Sequence, residues 1–359
     1  MAATRLEVTS TQGPYAVLIG PGIAGQVEEL TRPLGRTRVV VSSTPVWRLH
    51  GARLRALTRT LPPILIGDGE RAKSLGTVSR LYDAFLQRSV DRRSVIVAFG
   101  GGVLGDLAGY AAATFLRGIP FVQVPTTLVA QVDSAIGGKV GVNLPAGKNL
   151  VGAFHPPRLV VCDPDLLSTL PRREFRAGLY EVVKYGVIAS RSLLDRVSAG
   201  LDALFGQDPQ VLKGVISGCC SIKAEVVMAD ELESGPRRVL NFGHTVGHAL
   251  EAITDYRRFR HGEAVAYGML AAAFISRRRG LLPDDDAEAL AALIRRMGPL
   301  PPVTDLSRSA VVEATGRDKK VVDGKLHFVL ASGLGATTIA SDVTTRELRA
   351  ALRHIGLRH

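Results

Sequence analysis

In the first half of the chain, short apolar runs rich in β-branched residues alternate with segments of helical periodicity. Runs at 15–19, 38–41, 64–66, 94–99, 121–124 and 159–162 predict strands. Strands separated by helical stretches predict a mostly parallel α/β sheet. After Leu170-Pro171 long helical periodicities dominate, over 173–189, 208–231, 241–254, 262–280 and 286–297. A strand at 325–330 and a closing helix at 344–353 are expected near the end. The change of pattern places a boundary near 170, with an α/β domain over 1–170 and a mostly α-helical domain over 171–359. A length of 359 residues suits two cores better than one.

Composition narrows the function classes. Apolar residues make up 46% and charged residues 22%, as in an ordinary globular protein. No apolar run approaches about 18 residues, so no membrane span is expected. The start, MAATRLEVTST, lacks the apolar core of a secretory signal. Cys162, Cys219 and Cys220 form neither a CxxC pair nor a disulfide framework, which predicts a reducing, cytoplasmic setting. A net charge of +12 admits nucleic acid, a membrane surface or an anionic small substrate. The arginines are scattered, with no basic stripe and no interleaved aromatics, so no nucleic-acid partner is expected.

Three stretches carry candidate chemistry. In Asn241-Phe-Gly-His244-Thr-Val-Gly-His248-Ala-Leu-Glu251, positions 241, 244, 248 and 251 fall near one helical face, and His261-Gly-Glu263 follows. An amide, two imidazoles and a carboxylate in a row suit a metal or anion site, because an apolar interior would not tolerate them. The run Ser94–Phe99 leads into Gly100, Gly102 and Gly105 and then a helical stretch. This GxGxxG spacing, between strand and helix, suits a diphosphate held by backbone N–H groups. The glycine-basic run from Asp133 through Lys139 and Asn143 to Lys148 and Asn149 suits phosphate. Glu181 and Lys184 share a face of a helix flanked by apolar residues.

Taken in order, GGGVLGDLAGYAAATFLRG, VPTTLVAQVDSAIGGKVGVNLPAGKNLVGAF, GLYEVVKYGVI, SIKAEVV, RRVLNFGHTVGHALE, HGEAVAYGM and DKK closely resemble the 3-dehydroquinate synthase family. The resemblance implies a Rossmann-like N-terminal α/β domain and a mostly α-helical C-terminal metal-binding domain. It implies NAD, and Zn2+ or Co2+, as cofactors. The reaction it implies turns 3-deoxy-D-arabino-heptulosonate 7-phosphate into 3-dehydroquinate and phosphate. A ring hydroxyl is oxidised, phosphate leaves with the substrate's own phosphate as base, the ketone is reduced back, and ring opening and aldol closure follow. The implied metal ligands are Glu181, His244 and His261, whereas spacing alone favours a His244/His248 pair. Lys223 and Arg237 are expected on the substrate carboxylate. Lys139, Asn149, Lys184, Asn241, His248 and one of Lys319 and Lys320 are expected on its phosphate end and ring hydroxyls. Arg117 would reach the neighbouring site in a homodimer. Around NAD the resemblance implies Gly101, Gly102 and Val103 at the diphosphate, with Asp106, Thr126, Thr127, Asp133, Lys139, Lys148, Thr169, Glu70 and Lys73 nearby.

Two positions depart from the family pattern. Ser43-Thr44-Pro45 replaces an Asp-x-Asn turn whose acid would clasp a ribose diol. Tyr180 stands where alanine is common, beside Glu181, and is expected to pack. Other sugar-phosphate cyclases are the nearest rival reading. Those that use substrates lacking a carboxylate alter residues that are kept here: Lys223, Arg237, Asn241 and His248. A metal-dependent alcohol or glycerol dehydrogenase is a second rival, and would release NADH.

Overall fold

The computed structural model describes residues 3–316, 321–322 and 325–358. Two compact units are resolved, the first comprising Met1–Pro171 with Gln207–Leu232, the second Arg172–Gly206 with Glu233–His359.

The first unit is built on strands β1 (Thr4–Val8), β2 (Tyr15–Ile19), β3 (Thr37–Ser43), β4 (Ile64–Ile66), β5 (Ser94–Gly100), β6 (Phe121–Pro125), β7 (Lys139–Leu144), β8 (Gly147–Phe154) and β9 (Leu159–Cys162). Seven of them form one sheet in the order β1-β2-β9-β6-β5-β3-β4. Only β1 runs antiparallel to its neighbour. Apolar runs without polar alternation are buried on both faces, as a parallel sheet requires. Val39, Val41, Ile96 and Ala98 enter one core with Leu107, Ala111 and Phe121. Val40, Val95, Val97 and Phe99 enter the other with Val122, Val124 and Val161. Strand period two divides the residues between the faces. Helices α1 (Val27–Thr31), α2 (Thr44–His50), α3 (Leu75–Gln87) and α4 (Gly102–Thr114) complete this part. The 133–149 run, whose composition suits phosphate, leads into a β-hairpin, β7 paired with β8. Its glycines are needed there, since a Cβ on Gly141 would lie 2.7 Å from the Val151 carbonyl oxygen.

Beyond Pro171 come α5 (Arg172–Ala189), α6 (Arg191–Ala199), α7 (Leu201–Phe205) and α8 (Pro209–Ala229). The sequence places α8 in the second domain, but the structure groups it with the first unit. It packs on β1, β2 and the π-helical turn Ala130–Ser134, burying Val215, Ile216, Cys219 and Cys220. Helical periodicity shows that a face is buried without showing which core receives it. The second unit continues with α9 (His244–Ile253), α10 (His261–Arg278), α11 (Asp284–Arg296), α12 (Arg308–Gly316), a strand Phe328–Gly333 and α13 (Thr345–His354). Thus α9 is shorter than the periodicity over 241–254, because Gly243, at φ +78°, interrupts the chain before it.

Candidate active site

In the first unit the C-terminal ends of the parallel strands carry the glycine turn. Gly101 caps α4, and no side chain caps that helix. Its first N–H groups therefore point outward with the positive end of the helix dipole. A Cβ on Gly102 would crowd the turn, 2.7 Å from Ser134 Oγ, whereas Gly105 lets α4 pack closely on β6, since a Cβ there would lie 2.5 Å from Gln123 Oε1. Lys73 Nζ donates to Asp106 Oδ2 and to Asn149 Oδ1, both at 2.5 Å. Asn143 Nδ2 donates to Glu70 Oε1 at 2.8 Å, and Asn143 Oδ1 accepts from the Asn149 backbone at 2.9 Å. Lys148 Nζ lies 3.7 Å from Glu70 Oε1. Burial pushes the Asp106 carboxyl above its ordinary range, against the pull of Lys73. Lys223, on α8, is ion-paired with Asp133. Thr126 N donates to the Gly100 carbonyl at 2.9 Å, and Thr127 Oγ1 accepts from Ala130 N at 3.2 Å.

Glu70, Lys73, Asp106, Asn149 and Lys148 are thus joined in one network through Asn143, a member of the glycine-basic run. Lys139 is exposed at the start of β7. Thr169 Oγ1 pairs instead with His50 Nε2 at 2.7 Å. Ser43 is buried at the C-terminal end of β3, with no side-chain bond to the helix that follows. Arg117 is not with the network. It precedes β6, beyond the far end of α4, and shares a concavity of about 410 Å³ with His155 and Arg158. Thirteen helical residues separate the glycine turn from that loop, a length of roughly 20 Å.

In the second unit three helices meet at glycines. A Cβ on Gly262 would lie 1.9 Å from the Ala177 carbonyl oxygen, and one on Gly268 would lie 1.7 Å from that of Gly243. Backbone contact of this closeness sets α10 against α5 and against the turn before α9. Glu181, one turn beyond Ala177, and His261, next to Gly262, are brought together as a result. Glu263 fixes the same end of α10. Its carboxylate accepts from the Arg260 backbone at 2.9 Å and from Arg173 Nε and Nη2 at 2.8 and 2.7 Å. Burial opposes its charge, yet Arg173, Arg260 N and Arg176 hold its carboxyl below the ordinary range. An acid at the third helical position was the available signal for this residue.

His244, His248 and His261 each place a ring nitrogen within 4.8 Å of the others. Glu181 Oε1 lies 3.8 Å from His244 Nε2 and 3.4 Å from His261 Nε2, and its Oε2 lies 2.6 Å from Lys184 Nζ. Carbonyls only accept, so the 3.1 Å contact of His244 Nδ1 with the Phe242 oxygen makes Nδ1 the donor and leaves a lone pair on Nε2. His261 Nδ1 lies 3.1 Å from Glu251 Oε2, which turns Nε2 toward Glu181 and leaves it as the ligand atom once its proton is displaced. Glu251 is the carboxylate of the sequence-predicted stripe, and the structure sets it behind His261 as the group that orients the ring. Histidines tied at Nδ1 to a carbonyl and a carboxylate, with Nε2 directed at another carboxylate, are arranged as metal ligands are. Two imidazoles and a carboxylate suit zinc or cobalt and leave coordination positions open. Burial opposes protonation of His261, but Glu251 and Glu181 outweigh it and raise the imidazole to about 10. The pocket therefore favours a cation.

Other residues of this unit sit differently from the sequence picture. Asn241 is not on the histidine helix. It ends the 3-10 turn Pro236–Asn241, and its amide donates to Glu233 Oε1 at 2.9 Å. Arg237 is buried on that same turn. Tyr180 is buried, and its hydroxyl donates to the Gly298 carbonyl at 3.5 Å. Lys319 and Lys320 lie outside the described residues.

Models of the 3-dehydroquinate synthase N-terminal and C-terminal regions match residues 63–177 and 178–321. The chain belongs to the 3-dehydroquinate synthase family. It is 44% identical to the 3-dehydroquinate synthase of Nostoc punctiforme, over 97% of this chain and 98% of that one. Among solved structures, 2-epi-5-epi-valiolone synthase from Streptomyces hygroscopicus, with NAD+ and Zn2+ bound, is 31% identical at a TM-score of 0.87, covering 95% of this chain and 96% of the other. A 2-deoxy-scyllo-inosose synthase, complexed with carbaglucose-6-phosphate, NAD+ and Co2+, is 29% identical at a TM-score of 0.87, covering 98% of this chain and all of the other. The family's cyclase fold, a parallel α/β region followed by a largely helical one, is the fold of this chain. No helix among the described residues is long and apolar enough to cross a membrane.

Proposed function

We propose that the protein converts 3-deoxy-D-arabino-heptulosonate 7-phosphate into 3-dehydroquinate and phosphate, with NAD and Zn2+ or Co2+ as resident cofactors, in the cytoplasm as part of aromatic biosynthesis. The carrying observation is the histidine–glutamate cluster, with both supporting acceptors in place, in a chain 44% identical over almost its whole length to a 3-dehydroquinate synthase. When bound, NAD supplies reversible hydride transfer and the metal polarises substrate oxygens.

The residues divide this work. Glu181, His244 and His261 hold the metal, and Lys184 keeps the Glu181 carboxylate turned toward it. Gly101, Gly102 and Val103 offer N–H groups to the NAD diphosphate. Glu70, Lys73, Asp106, Thr126, Thr127, Asp133, Lys139, Lys148 and Thr169 bind or orient the rest of NAD. Lys223 and Arg237 take the substrate carboxylate. Lys139, Asn149, Lys184, Asn241, His248 and one of Lys319 and Lys320 take its phosphate end and hydroxyls. The distance of Arg117 from the glycine turn of its own chain supports a homodimer in which it serves the other subunit.

Phosphate and dehydroquinate release, measured on purified protein with NAD and zinc, tests the reading. Many phosphates per NAD, with no lasting absorbance near 340 nm, are expected. Stoichiometric NADH would favour a dehydrogenase instead. Arg237→Ala is expected to cost roughly 2–5 kcal/mol in kcat/KM, and a loss under threefold would refute its carboxylate role.

A further inference from the structure

At the opposite end of the parallel sheet from the glycine turn, the first unit carries a cluster of arginines without a role in the proposed reaction. Two loops build it. One runs from the 3-10 turn Arg32–Leu34 to Arg38 near the start of β3, and the other is the Arg92–Arg93 turn ahead of β5. Arg36 N donates to the Arg93 carbonyl at 3.0 Å, which ties the loops together. Gly35 is required at the crossing, since a Cβ there would lie 2.4 Å from the Arg93 oxygen and 2.7 Å from Val95 Cγ2. Arg32, Arg36, Arg38, Arg92 and Arg93 line one concavity of about 540 Å³.

Little acid opposes these charges. Glu28 is shared between Arg32 and Arg38, at 3.3 and 3.7 Å. Asp91 is engaged by its own turn, accepting from Arg93 N at 2.9 Å and Ser94 Oγ at 2.8 Å. Among the described residues, the guanidinium groups of Arg36, Arg92 and Arg93 make no hydrogen bond or ion pair with a side chain. Arg38 Nε is buried without a hydrogen-bond partner. Cations gathered on two tied loops repel one another, and a bound anion relieves that repulsion.

We propose that this concavity binds a small polyanion with at least two adjacent phosphate groups. Guanidinium forks pair bidentately with phosphate oxygens, and the three unengaged forks of Arg36, Arg92 and Arg93, with the two shared with Glu28 beside them, offer more donor pairs than a single phosphate can engage. The volume falls within the rough 300–1,000 Å³ span of small-molecule pockets. A nucleic-acid surface would instead spread its cations along a groove and interleave aromatics for stacking, and no aromatic lines this concavity. The site is distinct from the NAD diphosphate site, because β3 and β5, seven residues each, separate the two by roughly 20 Å.

The test is calorimetric titration of inorganic tripolyphosphate into the full-length protein, loaded with zinc and saturated with NAD. Three proteins are compared: the parent, an Arg92→Ser/Arg93→Ser variant, and an Arg346→Ser/Arg349→Ser control that removes two exposed arginines elsewhere. The parent is expected to bind one tripolyphosphate that the Arg92/Arg93 variant binds at least tenfold more weakly. The control should retain parental affinity, orthophosphate should bind the parent at least tenfold more weakly, and kcat/KM should be unchanged in both variants. Equal affinity in parent and Arg92/Arg93 variant would overturn the proposal, as would an equal loss in the control. Affinity that climbs with the length of a single-stranded oligonucleotide would also overturn it, in favour of a nucleic-acid surface.

Discussion

Both units depend on glycine at their functional ends, but for opposite reasons. In the first, Gly101 and Gly102 keep side chains out of a cradle at an uncapped helix N-terminus, where a ligand's diphosphate can lie. A Cβ on Gly101 would meet Thr127 Cγ2 at 3.1 Å, which a small shift relieves. In the second, Gly262 and Gly268 let the α10 backbone touch that of α5 and of the turn before α9, and the Cβ distances of 1.9 and 1.7 Å leave nothing to yield. One set of glycines makes room for a ligand, and the other assembles the residues that would bind one. The same substitution should therefore cost binding in the first unit and folding in the second.

That contrast is broken most sharply by paired alanines. Gly262→Ala should destabilise the protein by roughly 3 kcal/mol or more through overpacking against the α5 backbone, with zinc lost. Gly101→Ala should stay within about 1 kcal/mol of the parent while weakening NAD. Chemical denaturation with metal and NAD titrations compares them, and equal stability losses would erase the distinction. Next in size, His261→Ala leaves the helix packing intact and should abolish metal binding and nearly all activity. Full zinc content by elemental analysis would remove His261 from the ligand set.

A smaller effect concerns the proton on His261. Its raised pKa means that the metal-free imidazole is protonated at neutral pH, so zinc must displace that proton. Affinity should rise with pH, by up to about tenfold per unit below the raised value. Glu251→Gln removes the carboxylate that holds the ring at Nδ1 and contributes most to its raised pKa. It should lower zinc affinity by roughly 10- to 100-fold and reduce the proton release measured calorimetrically in buffers of different ionisation enthalpy. Unchanged release would show that Glu251 does not govern the ring. The smallest effect is at Ser43, which precedes α2 without capping it. Ser43→Asp should cap that helix and offer two acceptors to the ribose, tightening NAD by about 1.5–3 kcal/mol if both are used. A more stable protein with unchanged NAD affinity would leave only the cap.

Sequence alone determined what local chemistry determines. The β-branched runs specified six of the sheet's seven strands, since burial on both faces needs continuous apolar character; the edge strand β1 (Thr4–Val8), which alternates buried and more exposed positions, carried no such run. The glycine turn was legible because strand, turn and helix N-terminus are consecutive in the chain. The histidine stripe was legible through its 3.6-residue period. Tertiary structure decided the rest. It assigned α8 to the first core, because a helix does not encode its partner, and it made a hairpin of the 133–149 run through strand pairing. Gly243 separated Asn241 from the histidine helix. Packing also drew Glu181 on α5 to His244 and His261 and gave Glu251 and Glu263 their tasks, because contacts between distant segments depend on which backbones can approach, and helical spacing carries no record of that.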